Sequence, residues 1–228
     1  ELTEELQRNK YSINDDLKVT DKRLKVVYED HVGEGYQRTN AAFISLARND
    51  DLTTLSETIR SYEDRFNKKF KYPWVLMNNK DFSEEFKRQI RNIASGEVYF
   101  EKIPKELWST PNFINKDLFK QNRIKSRPSM LYGGSENYRY MCRFFSGLFY
   151  KLDALKDYEY VWRVEPETRL HCDVSYDVFK FMKDNNKQYG FTIAMREFPN
   201  TIPTLWENIK KFIELNPSFL SPNNLLSF

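Results

Sequence analysis

Cysteine is almost absent from this 228-residue chain, which has only Cys142 and Cys172. Two thiols fit neither a disulfide scaffold nor a zinc cluster, and the two histidines, His31 and His171, are not spaced as ligands of one metal. The cysteines either form a single disulfide or sit as buried thiols. No stretch approaches the roughly 18 to 20 consecutive apolar residues of a membrane span, and the polar start lacks a signal-peptide pattern. The sequence as it stands reads as soluble, which leaves an anchored parent protein open. A large excess of charge of one sign is also missing. Lys and Arg number 36 against 33 Asp and Glu, a formal +3, so no basic field argues for nucleic acid and no acidic tail for disorder. There is no Asn-x-Ser/Thr sequon, because Asn216 is followed by proline. Neither a Gly-x-Ser-x-Gly elbow nor a Cys–His pair offers a hydrolase nucleophile.

What is abundant is aromatic surface, with 14 Tyr, 18 Phe and 4 Trp. Sugar-handling clefts and ordinary interfaces both use such rings. Glu1 to about Asn40 is polar and irregular, with a basic cluster at Lys22, Arg23 and Lys25, and reads as a stem or wrapping arm. One domain is then expected over 41–228. Ala41–Ala47 is a short apolar run suited to a buried parallel strand, followed by Arg48-Asn49-Asp50-Asp51 and a helical spacing of Leu52, Leu55, Ile59, Tyr62 and Phe66. Tyr72–Asn79 repeats the strand, and a charged helix from about Ser83 to Ser95 ends at Gly96. Val98-Tyr99-Phe100 predicts a third strand. Strands alternating with helices indicate an α/β fold with a mostly parallel sheet.

Pro104 to Arg127 has no clean period and reads as an irregular excursion. Ser135 to Asp157 carries one apolar stripe and predicts a long amphipathic helix. Tyr158–Val164 predicts a strand that stops at Glu165-Pro166-Glu167, since a proline cannot continue the ladder. Asp177 to Asp184 predicts a short helix, Tyr189–Met195 another strand ending in Arg196-Glu197, and Thr204 to Leu215 a last helix.

Ligands of open α/β sheets bind beyond the carboxyl ends of the strands, and carboxylates there suit a divalent cation holding a diphosphate. Two neighbouring strands ending in Glu165 and Glu197 would point both carboxylates into one crevice, where oxygen ligands suit Mn²⁺ or Mg²⁺. An acidic turn after a strand is also a common solvated turn. Arg48 stands beyond the first strand, where a guanidinium clamps phosphate or stacks on a base, or is a surface arginine near the Asp/Asn cap of the next helix. Asn78, close to the end of the second strand, is a candidate cofactor-binding residue. Tyr132-Gly133-Gly134-Ser135 precedes the long helix, whose N-terminus favours an anion, although a plain turn has the same composition and the pattern is not a P-loop. Tyr138, on the first turn, reads as a core ring or as a hydroxyl donor in the cleft. Trp108, Phe113 and Trp206 are either core or the wall of an acceptor groove.

Several long segments in fixed order carry a resemblance: Ala42–Asn49, Tyr72-Pro73-Trp74-Val75, Tyr138–Gly147, Tyr160–Pro166, Tyr189-Gly190-Phe191 and Thr201–Trp206. From about Asn40 onward they closely resemble the fungal Golgi α-1,2-mannosyltransferases of glycosyltransferase family 15. The resemblance implies a GT-A type fold, GDP-mannose as donor, Mn²⁺ as cofactor, and transfer to a mannose hydroxyl of an N- or O-linked glycan with retention. It makes Arg48 a nucleotide-site arginine and Glu197 a residue holding metal and diphosphate; Asn78 and Ser135 are taken with Arg48 as the cofactor-binding candidates. Tyr138 and Glu165 are placed around sugar and acceptor. It further implies a type II membrane protein acting in the Golgi lumen through an anchor outside this sequence. The family's Tyr-Asn-x-Cys-His-Phe-Trp-Ser-Asn-Phe-Glu motif, with the proposed nucleophile, and a later metal-ligating histidine have no match before Phe228. The chain is therefore expected to be a truncated enzyme or a noncatalytic sugar-nucleotide or glycan-binding module. A transferase using UDP-sugars is the third reading.

Overall fold

The computed structural model describes residues 23–222; Lys22 of the basic cluster lies outside them. Contacts divide the chain into two compact units. The first is the described part of Glu1–Pro111 with Arg139–Gly190, and the second is Asn112–Tyr138 with the described part of Phe191–Phe228.

The first unit is built on four parallel strands, β1 (Ala41–Leu46), β2 (Trp74–Asn78), β3 (Val98–Lys102) and β4 (Tyr160–Arg163), in the order β3-β2-β1-β4. The two central strands are nearly continuous apolar runs because both of their faces are covered. On one face, Phe43 and Trp74 pack with Leu55 and Ile59 of α1 (Leu52–Tyr62), with Phe86 and Ile90 of α2 (Glu84–Ile93), and with Phe179. The Phe43 and Trp74 rings stack at 4.5 Å, and the two residues are register partners. The alternate side chains Ala42, Ile44, Val75 and Met77 face Phe144, Leu152 and Leu155 on the other side. Fully burying an aliphatic or aromatic side chain is worth about 1.5–3 kcal/mol, so this two-faced core is the main stabilising element.

After Tyr62 the helix continues through a wider turn, Glu63–Asn67, and ends at Lys71, which adopts a left-handed φ of 55°. Glu63 is buried there and fully paired: its carboxylate accepts Trp74 Nε1 (2.8 Å), Asn67 Nδ2 (2.8 Å) and the Ser95 N–H (3.0 Å). A buried carboxylate with three donors ties α1 to β2 and to the end of α2.

The remaining helices are α3 (Lys116–Ser126), α4 (Glu136–Gly147), α5 (Val178–Asp184) and α6 (Leu205–Leu215). The excursion expected as irregular thus contains α3, capped by Asn115, whose side chain accepts from Asp117 N and Leu118 N. Its residues bury no apolar face, so no helical period marked it. The long helix expected to reach Asp157 stops at Gly147 and gives way to single turns at Phe149–Lys151 and Asp153–Leu155, which still bury Leu152 and Leu155.

The strand expected at Tyr189–Met195 does not form, and Tyr189, Phe191, Ile193 and Met195 are all exposed. Alternating apolar residues make a strand only beside a partner ladder, and none of the described strands pairs with them. Both cysteines are exposed and free, against either sequence reading of them.

The described end of the N-terminal segment is bound into the first unit. Tyr28 forms a bridge with Tyr176, Asp177 N donates to Val27 O (2.9 Å), and Lys25 N donates to Asn185 Oδ1 (2.7 Å). Tyr36 Oη and Tyr72 Oη both donate to Asp177 Oδ2, at 2.6 and 2.7 Å. Burial, followed by the Asp177 carboxylate, pushes both phenols far above the usual tyrosine range.

Candidate active site

All four strands point the same way, so their carboxyl ends share one edge. The chain leaves β1 to build β2 and β3 on one side and returns as β4 on the other, which makes the gap between β1 and β4 the switch point of the sheet. Arg48 lies just past the end of β1, and Glu165 just past β4. The pairing extends beyond the strands proper: Val164 N donates to Ile44 O (2.9 Å) and Ala47 N to Met77 O (3.0 Å). Asn78, buried at the end of β2, gives its carbonyl to Ile103 N (2.7 Å). Arg48, Asn78 and Glu165 are therefore brought to one edge, as their positions at strand ends predict.

Each carries a local support. Arg48 donates from Nε (3.1 Å) and Nη2 (2.8 Å) to the two oxygens of Asp51, while its backbone N–H donates to Asp51 Oδ2 (2.8 Å). Burial opposes the charge on Asp51, but the Arg48 hydrogen bonds outweigh it and hold the carboxyl below the usual range. The next residue, Asn49, bridges to the loop after β2, accepting from Ser83 N (3.0 Å) and donating to Asp81 O (3.0 Å).

Glu165 accepts Arg163 Nε at 2.5 Å, and the Arg163 guanidinium lies 3.5 Å from the centre of the Phe145 ring. Thr168 closes the acidic turn by donating N–H and Oγ1 to the Glu165 carbonyl, and Glu167 takes a left-handed φ of 70°. Asp51, Asn49, Arg163 and Phe145 were not among the candidate site residues read from the sequence, where Asn49 and Asp51 figured only as a helix cap and Phe145 only on the apolar stripe of the long helix. Two had a readable signal: Arg48-x-x-Asp51 has the spacing of a reciprocal cap, and Arg163 and Glu165 alternate onto one side of a strand.

Ser135, Tyr138 and Glu197 belong to the second unit. Ser135 Oγ accepts Tyr138 N (3.1 Å), so the serine caps α4. Gly133 allows close approach to the chain's own helix, since an added Cβ would stand 2.4 Å from Ser126 O. Tyr138 is exposed, with its ring 4.9 Å from that of Tyr132, which excludes the core reading. Tyr132, Arg127, the glycines and Ser135 line an open concavity of about 390 Å³ together with Ile124 and Met130. Glu197 is exposed and accepts its neighbour's Phe198 N (2.7 Å). Because no strand runs beneath it, the argument that set Glu197 beside Glu165 on adjacent strand ends fails. Among the described residues no three His, Cys, Asp or Glu side chains gather as a metal site, and no helix is long and apolar enough to cross a membrane.

The chain is similar to solved and curated proteins along most of its length. Core-mannan synthase A from Aspergillus fumigatus, solved in its Mn/GDP form, is 44% identical and superposes with a TM-score of 0.84 over 88% of this chain and 55% of that one. The mannosyltransferase Ktr4p from Saccharomyces cerevisiae, solved with GDP, is 35% identical, with a TM-score of 0.80 over 86% of this chain and 50% of that one. The expected α/β architecture of GT-A type is thereby established. Glycolipid 2-alpha-mannosyltransferase 1 of Candida albicans is 50% identical over 84% of this chain and 44% of its own length. The chain thus spans about half the length of the relatives it matches. A family model described as glycolipid 2-alpha-mannosyltransferase matches residues 1–228, and the chain belongs to that family.

Proposed function

We propose that the chain is part of a retaining mannosyltransferase that moves mannose from GDP-mannose to a mannose hydroxyl of a protein-linked N- or O-glycan, forming an α-1,2 linkage. The observation that carries this reading is the placement of Arg48 and Glu165 on either side of the switch point, in a fold shared with a relative whose structure holds Mn and GDP. Arg48 meets the nucleotide, with Asn78 at the neighbouring strand end. Glu165, oriented by Arg163, faces the mannose or its acceptor. Tyr138 is kept as a residue placed around the sugars on the family resemblance alone. Ser135 is kept as a proposed donor-binding residue for its place at the N-terminus of α4, where an anion is favoured. Preorganised charges of this kind act where charge develops as the bond from the sugar to the diphosphate breaks.

Mn²⁺ is proposed as the cofactor, supplying charge neutralisation of the diphosphate when bound. The described side chains do not assemble a ligand set for it. Glu197 is kept as its proposed carboxylate ligand on the family resemblance alone. The setting proposed is the Golgi lumen, with membrane attachment through a segment outside this sequence; nucleic acid has no part in it.

Calorimetry of GDP against UDP in the presence of Mn²⁺ tests the donor reading. GDP binding with UDP far weaker is expected, and equal or absent binding refutes it. Unchanged Mn²⁺-dependent turnover in Glu197→Ala would remove that residue's role.

A further inference from the structure

The Arg48 side chain is largely exposed, at 73%, yet it is not left to move freely. An exposed arginine ordinarily samples many rotamers, and ordering one on binding costs about 0.5–1.5 kcal/mol. Here the cost is met before any ligand arrives. Both Asp51 oxygens accept from the guanidinium, the second by way of Nε, and the half-buried carboxylate is itself fixed by the Arg48 N–H. A helix cap needs only that last hydrogen bond. The two side-chain bonds go beyond it: they fix the plane of the guanidinium and leave the Nη1 hydrogens and one Nη2 hydrogen unused by Asp51. Asn49 then locks the same turn to the loop after β2 through Ser83 and Asp81. The turn that carries Arg48 is thus held at both ends.

We infer that Asp51 is a positioning residue of the nucleotide site, holding the Arg48 guanidinium in the orientation that receives the guanosine diphosphate. This rests on the reading above that Arg48 meets the nucleotide. The opposite role is chemically distinct and measurable: if the ligand had to displace Asp51 from Arg48, the carboxylate would be a competitor and its removal would tighten binding.

The test measures GDP affinity by calorimetry with Mn²⁺ in the intact protein and in its Asp51→Asn, Arg48→Lys and doubly substituted forms. Asparagine keeps an oxygen for the Arg48 N–H and loses the charged fork. Asp51→Asn is expected to weaken GDP binding about 2- to 10-fold, the span of ordering one long side chain. With substrate, KM for the donor rises while kcat holds, because an interaction present in ground and transition states alike has been weakened. In the Arg48→Lys background the same change is expected to have no further effect, since the fork it serves is gone. A cap acting only on the fold would give additive losses and no such coupling.

Unchanged or tighter GDP binding in Asp51→Asn, or additivity in the double variant, overturns the inference while leaving the donor reading in place. A parent protein that does not bind GDP overturns both. If Asp51→Asn fails to fold, Asp51→Ser, which also keeps a side-chain oxygen to accept the Arg48 N–H, is read the same way.

Discussion

Tyr36→Phe is the sharpest probe of whether the segment before β1 is a stem or part of the folded unit. Tyr36 stands before β1, yet its hydroxyl donates to Asp177 Oδ2 at 2.6 Å, and Asp177 is wholly buried. A hydrogen bond to a buried charge contributes about 1.5–3 kcal/mol, so the loss of this one hydroxyl should cost about 2 kcal/mol. For a unit of this size that lowers Tm by about 4–8 °C. Tyr72→Phe should cost more, because the Tyr72 oxygen also accepts the buried Thr39 N–H at 3.2 Å, and the change leaves that donor unpaired. The two phenols share one acceptor atom. With either removed, Oδ2 keeps a donor; with both removed, it is a buried anionic oxygen with none, which adds about 1–3 kcal/mol beyond the sum. Thermal or urea unfolding of the two single variants and the double variant reads this coupling. An unchanged Tm in Tyr36→Phe, or strict additivity, would refute the reasoning. So would a variant lacking residues 1–40 that unfolds at the parent temperature.

The same phenols give a pH prediction: their folded pKa values are raised, so their contribution is complete below the unfolded value of about 10 and is lost as pH climbs above it. Tyrosinate absorbance should show these two rings ionising only with unfolding, and Tyr36→Phe should flatten the alkaline limb of the stability curve. Gly133→Ala forces a Cβ to within 2.4 Å of Ser126 O and should destabilise the second unit by about 1–3 kcal/mol, read as earlier loss of α3 protection in hydrogen exchange. Glu165→Gln should lower kcat about 100-fold in the intact protein while GDP affinity holds; a loss of affinity instead would move Glu165 to the nucleotide site. Two thiols should react with a small alkylating reagent in the native state, since both cysteines are free and exposed.

How far the sequence could be read follows from where the specifying interactions lie. β1 and β2 were legible because a central parallel strand is apolar on both faces whatever its neighbours, and Ala41–Leu46 and Trp74–Asn78 fall where the runs placed them. Arg48 and Glu165 were legible for the same reason: a strand that stops must deliver its next residues to the sheet edge. α3 was not, because it is set by its Asn115 cap and buries nothing that a hydrophobic period could reveal. Tyr189–Met195 failed in the opposite sense. Its alternation is strong, but alternation states only that a strand fits, while a partner ladder decides whether one forms. That difference separates the two glutamates. The position of Glu165 depends on β4, whose pairing with β1 is fixed by the register Ala41↔Tyr160 through Ile44↔Arg163. The inferred position of Glu197 depended on a strand that has no partner among the described residues, whereas the position of Glu165 follows from a paired strand; the roles of both fall to the binding and turnover measurements.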